Sequence, residues 1–118
     1  VWYSGYGACN QPNRQATIPV RLIRGSTEIC HANDANNRAR LTAGQSTNGT
    51  DDGNVAVTVS GNFLDSPNST SQQTYKMQFF NIADASKTYV CNSTNDDGDV
   101  NNFRPRGTST ITVMEISA

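Results

Sequence analysis

The stretch Gln72-Gln73-Thr74-Tyr75-Lys76-Met77-Gln78-Phe79-Phe80 decides the fold class. Tyr75, Met77 and Phe79 fall on one side of an extended chain, and Thr74, Lys76 and Gln78 on the other. A period of two marks a half-buried strand; a helix would scatter the same residues around its axis. Working outward, Val55, Val57 and Val59 alternate with Ala56, Thr58 and Ser60 in the same way. Thr17 to Arg24 presents Ile18, Val20 and Leu22 to one face, and Gly25-Ser26 turns the chain into Thr27-Glu28-Ile29-Cys30, a predicted hairpin. The β-branched run from Thr108 to Ile116 reads as a strand covered on both faces at its end. Val1 to Ser4 and Lys87 to Cys91 give weaker strands, and nowhere does a 3.6-residue period emerge.

Turn signals at Asn10-Gln11-Pro12-Asn13, Asn48-Gly49, Asp52-Gly53, Ser66-Pro67-Asn68 and Asp97-Gly98 separate these strands. Short strands punctuated this often predict one all-β domain over residues 1–118, an antiparallel β-sandwich of jelly-roll type. Composition agrees. Leu, Ile, Val and Phe make up 21 of 118 residues, enough for a thin core only, while Asn, Thr and Ser supply 38. Thr suits strands, and Asn and Ser suit the turns between them. Disorder would need a high net charge, and nine cations against ten anions leave only -1.

The same counts exclude several classes. No apolar run approaches the ~20 residues of a membrane helix, so membrane insertion is not expected. The scattered Lys and Arg make no footprint for nucleic acid. Three cysteines without a C-x-x-C give no zinc ribbon or thioredoxin motif. The chain opens on Val1, which reads as a processed form or part of a longer chain.

Asp96, Asp97 and Asp99, among Asn92, Asn95, Asn101 and Asn102, crowd oxygen ligands into one segment. Calcium takes six to eight hard oxygens, and Gly98 permits a sharp turn, but no Glu closes an EF-hand loop. The segment reads as a solvated turn. A calcium site, helped by Asp34 or by Asp51 and Asp52, is the alternative, and no other cofactor is expected. His31, the single histidine, lies beside Cys30 and near Asp34. Adjacent strand residues point to opposite faces, so a Cys–His pair does not converge there, and His31 is expected at the surface. Glu28, Glu115 and the loop aspartates show no spacing that selects a glycosidase pair. No enzyme is expected. Cys30 and Cys91 both end predicted strands and are the preferred disulfide pair; free thiols serving as small apolar residues are the other reading. Asn48-Gly49-Thr50, Asn68-Ser69-Thr70 and Asn92-Ser93-Thr94 mark loops more safely than glycans. Trp2, Tyr3 and Tyr6, close together among small neighbours, suit a sugar platform or an interface; the plainer reading is a first strand serving the core and a subunit contact.

From Pro19 onward the chain resembles a module of tail-fibre and other virion structural proteins of tailed phages. The resemblance rests first on Val20-Arg21-Leu22-Ile23-Arg24-Gly25-Ser26-Thr27-Glu28-Ile29, followed by Asn33-Asp34-Ala35 and Arg38. It continues through Phe63-Leu64-Asp65-Ser66-Pro67, Ser69-Thr70-Ser71 and Thr74-Tyr75-Lys76-Met77-Gln78. It ends on Thr88-Tyr89-Val90, Ser93, Asp97, Asp99, Arg106 and Ser109-Thr110-Ile111-Thr112-Val113-Met114-Glu115-Ile116. The cysteines and the aromatic opening lie outside the pattern. The resemblance implies a β-sandwich, commonly a homotrimer, on the outside of a virion, with other virion proteins and host-surface glycans as partners and no catalytic residues to carry over. In physical terms, Asp65-Ser66-Pro67 turns the chain after the valine strand, because Pro67 cannot donate to a ladder. Thr74 to Phe80 is then expected to return antiparallel to that strand, with Tyr75 and Phe79 covering Val57 and Val59.

Three functions follow as expectations: an exposed fibre or host-attachment module, a capsid decoration protein, and a lectin-like carbohydrate-binding domain outside the virion context.

Overall fold

The alternation of Ile18, Val20 and Leu22 becomes a nine-residue strand around which one of two sheets is organised. In the computed structural model the described residues are 1–10, 16–34, 36–47, 56–80, 82, 88–93 and 106–116. They form eight strands: β1 (Trp2–Asn10), β2 (Ala16–Arg24), β3 (Thr27–Ile29), β4 (Ala43–Thr47), β5 (Ala56–Asn62), β6 (Tyr75–Phe79), β7 (Thr88–Cys91) and β8 (Thr110–Thr112). Among the described residues there is no helix. Two four-stranded antiparallel sheets pack face to face, so the all-β sandwich expected from the alternation is what forms.

Both sheets follow one plan. The first is built on β1, with β5 along one edge and β7 and β8 end to end along the other. The second is built on β2, with β6 along one edge and β3 and β4 end to end along the other. Each of these second edges is thus one strand interrupted in sequence, between Ile29 and Ala43 in the β2 sheet and between Cys91 and Thr110 in the β1 sheet.

The breaks are closed by the same chemistry. A residue with positive φ leaves the strand, Cys30 (φ 55°) after β3 and Asn92 (φ 63°) after β7. The central strand is then left with an N–H lacking an edge partner, and a buried donor must find one. Thr42 Oγ1 accepts from the Leu22 N–H at 2.9 Å and donates to the Ile29 carbonyl at 3.3 Å. Ser109 Oγ accepts from the Tyr6 N–H at 3.1 Å and donates to Asn92 Oδ1 at 2.6 Å. Backbone bonds tie the necks, Ala32 N–H to Leu41 C=O (3.2 Å) and Gly107 N–H to Asn92 C=O (3.0 Å).

The inner faces differ. Ile18 and Val20 of β2 form the buried core with Val57 and Val59 of β5, and Ala43, Met77, Phe79 and Tyr89 pack around them. Between β1 and β5 each inward cross-strand pair sets a glycine beside a larger residue: Tyr3 beside Gly61, Gly5 beside Val59, Gly7 beside Val57. A Cβ on Gly5 would lie 3.2 Å from Met77 and 3.3 Å from Phe79, so the missing side chains are the space into which the β2 sheet packs.

Some expectations are corrected. β5 and β6 do not pair; they lie in different sheets, and residues 63–74 cross between the layers. Phe79 does reach the Val57 and Val59 cluster, but face to face across the sandwich. Tyr75 turns to Asp65 instead. The C-terminal stretch is a strand only over Thr110–Thr112, and Ile111, Val113, Met114 and Ile116 are exposed where a covered strand was expected. Its pairing stops because Thr112 already faces Trp2, the first residue of β1.

The Asp65 motif has a definite use. Arg24 and Tyr75 face each other across β2 and β6, and Asp65, from the crossover, sits between them. Its carboxylate accepts from Arg24 Nη1 at 2.8 and 2.7 Å and from the Tyr75 hydroxyl at 2.7 Å. Burial alone would raise the Asp65 carboxyl; the Tyr75 hydroxyl and the Arg24 guanidinium outweigh it and hold the group below the ordinary carboxylate range.

Candidate functional site: the outer face of the β1 sheet

Alternation along β1 sends Trp2, Ser4 and Tyr6 outward while Tyr3, Gly5 and Gly7 face the core. The aromatic opening is therefore split. Tyr3 is 7% exposed and belongs to the core; burial, and then the neighbouring Cys30, push its phenol above the ordinary value. Tyr6 is half-buried, and Gly107 lies so close over its ring that any added Cβ would overlap it. Trp2 alone keeps an open ring, 46% exposed.

Register surrounds Trp2 with small polar side chains. It lies between Asn62 of β5 and Thr112 of β8, and Ser4 lies between Ser60 and Thr110. These two rows, about 7 Å apart along the strands and spanning about 10 Å across three of them, line a shallow depression of about 320 Å³. All six side chains are neutral. The hydroxyls and amide of Ser4, Ser60, Asn62, Thr110 and Thr112 make no hydrogen bond among the described residues; Ser4 is half-buried and the other four are exposed. Trp2 is legible in the sequence as a candidate; Ser60, Asn62, Thr110 and Thr112 are not, because register brings them from two other strands.

The remaining candidates do not converge. Cys30, partly buried at the end of β3, and Cys91, exposed at the end of β7, are free thiols, and the preferred disulfide is not formed. Burial pushes the Cys30 thiol up, the wrong direction for a nucleophile. His31 is exposed, with Nδ1 3.0 Å from the Ala32 carbonyl, and Asp34 reaches Arg40 at 3.2 Å, so no Cys–His–Asp arrangement exists. Glu28 lies 3.9 Å from Arg21 in the β2 sheet, and Glu115 is exposed. Asp96, Asp97 and Asp99, like Asp51 and Asp52, lie outside the described residues. Among the described residues no three His, Cys, Asp or Glu side chains are grouped to hold a metal.

Compared with known proteins, the chain matches no family model, and no significant match is found among curated proteins or solved structures.

Proposed function

We propose that this chain is a non-enzymatic structural module of a virion, exposed on the particle as part of a fibre or tail, assembled as a homotrimer and used in host-surface attachment. The observation that carries the reading is the apolar edge of the β1 sheet. Ile111, Val113, Met114 and Ile116 are 38%, 49%, 59% and 69% exposed in one short segment that begins in β8 and runs on past the start of β1. Contiguous apolar groups of this kind mark surfaces that another subunit covers, and closed rotational symmetry suits a fibre or a threefold capsid site. The resemblance of residues 19–116 to virion modules points the same way, as does a surface whose polarity comes from Asn, Ser and Thr instead of charge.

Capsid decoration is the variant of this reading with the same fold and the same edge. A map of the particle separates them: density for the chain on a fibre or tail supports attachment, density bridging shell subunits supports decoration, and absence from the particle surface overturns both. Light scattering of the isolated chain tests the assembly. A trimer that falls apart on Val113→Lys with Met114→Lys is the expected outcome, and a stable monomer at micromolar concentration sinks it.

A further inference from the structure

We infer that the outer face of the β1 sheet is a saccharide-binding platform, with Trp2 as the stacking surface and the five surrounding side chains as hydrogen-bonding partners. This deepens the attachment reading and rests on it, in that the platform must face outward from the particle.

Three properties of the site point to this ligand class. Tyr3 and Gly61 complete the lining of this tray, the indole is its one exposed aromatic side chain, and the remaining side chains carry hydroxyls and an amide. A pyranose presents the same division, an apolar face of C–H groups and a rim of hydroxyls. An aromatic ring flanked by donors and acceptors complements both parts at once, the ring burying the C–H face and the side chains meeting the rim.

Second, the tray is neutral. The chain carries 19 charged side chains, and none lines this depression. A phosphate, an acidic peptide or a nucleic acid would need Lys or Arg in the site, whereas a neutral sugar does not.

Third, the platform is ready-made. Trp2 and Ser4 sit on the central strand, held on both sides by β5 and β8, so the rows keep their spacing without a ligand to order them. A rigid sheet lowers the ordering cost that weakens most sugar contacts. The roughly 10 Å width across three strands admits more than one sugar ring, so the inference extends to oligosaccharides of neutral residues.

Trp2 is the chain's only tryptophan, so its fluorescence reports on this site alone. The whole chain is titrated with neutral tetrasaccharides of glucose, galactose, mannose and N-acetylglucosamine, and with a sialylated one, each up to about 10 mM. The expected result is a saturable shift in Trp2 emission with at least one neutral sugar. Calorimetry on Trp2→Ala should show affinity reduced roughly tenfold or more, and Trp2→Phe should keep part of it. Ser60→Ala with Thr112→Val should weaken binding while leaving the ring in place. A parent-like circular dichroism spectrum and a single cooperative melting transition confirm that each variant is folded. The inference is overturned by any of three results: no saturable response to a neutral sugar, binding that survives Trp2→Ala, or a response confined to the acidic sugar. Concentration-dependent association without sugar, seen by light scattering and abolished by Trp2→Ala, would instead assign the face to contact between copies. Failure of the sugar panel leaves the chain's location on the particle untouched, so the two readings fail separately.

Discussion

The two sheets share a plan and differ in what their outer faces do with their side chains. On the β2 sheet the outer face is occupied. Pro19 and Ile23 are buried, and Arg21 lies 4.7 Å above the Phe80 ring while its Nε donates to Gln78 Oε1 at 3.2 Å. On the β1 sheet Tyr6 and Ala8 are covered at one end of the outer face, and the other end is a neutral tray with an open indole and unused hydrogen-bonding groups. The inner faces reverse this. The β2 sheet supplies branched and long side chains, and the β1 sheet supplies glycines that receive them. One layer provides the bulk of the core, which leaves the other free to present a surface.

This comparison breaks most readily at the Asp65 clamp. Asp65→Ala leaves the Arg24 guanidinium and the Tyr75 hydroxyl without the carboxylate both of them bind. Removing one partner of a largely buried pair costs about 3–5 kcal/mol, so the urea midpoint should fall sharply. A loss under about 1 kcal/mol would mean that the clamp does not hold the crossover.

Glycine substitutions sharpen the contrast between the layers. A Cβ on Gly7 would come within 2.5 Å of the Val90 carbonyl oxygen, which is backbone, whereas on Gly5 it meets the flexible end of Met77 at 3.2 Å. Gly7→Ala should therefore cost about 2 kcal/mol, and Gly5→Ala less than about 1. Equal costs in chemical unfolding would show that the facing sheet, and not the edge strand, sets the tolerance.

Acidity tests the clamp without changing its shape. The Asp65 carboxyl titrates below its unfolded-state value of about 4, so its contribution is complete above that pH and is lost as pH falls through the folded-state value. Parent and Asp65→Asn should differ most near neutrality and converge as the pH falls below about 4 in parallel urea titrations. A gap that stays constant would exclude the ionised carboxylate as the source. A more modest effect belongs to the tray: Trp2→Ala should cost on the order of 1 kcal/mol, because at 46% exposure just over half of the residue is covered by the fold.

Strands whose inward residues are apolar were legible in the sequence. β2, β5 and β6 carry the alternation outright, and the β2–β3 hairpin announces itself through Gly25, which takes positive φ (60°) at the first turn position. The central strand of the other sheet reads as weak and short because its inward residues after Tyr3 are glycines, and periodicity has nothing to register where the packing is an absence. Ala43-Gly44-Gln45-Ser46-Thr47 is not recognisable either, because the positions opposite the inward Val20 and Ile18 are Ala43 and Gln45, which make no apolar alternation; it is a strand because β2 presents an edge to it. Pro19 looks unsuited to a central strand, yet its missing N–H falls where β6 ends, and Phe80 still donates to the Pro19 carbonyl at 3.4 Å. The Asp65-Ser66-Pro67 turn was visible, but its ion pair was not, since Arg24 is 41 residues away in the chain. The same distance problem hides the tray, whose rows are assembled from three strands.

The interrupted edges have a consequence for how such a chain diversifies. In each, the ladder is fixed by the central strand before and after the break, and the neck is sealed by one hydroxyl and one backbone bond. Whatever is spliced between those seals leaves the register on either side unchanged. The entropy of closing a loop grows only with the logarithm of its length, so doubling an excursion costs about 0.6 kcal/mol. The fold thus offers two sockets, one per layer, into which segments of unrelated length and sequence can be exchanged while the sandwich beneath stays the same.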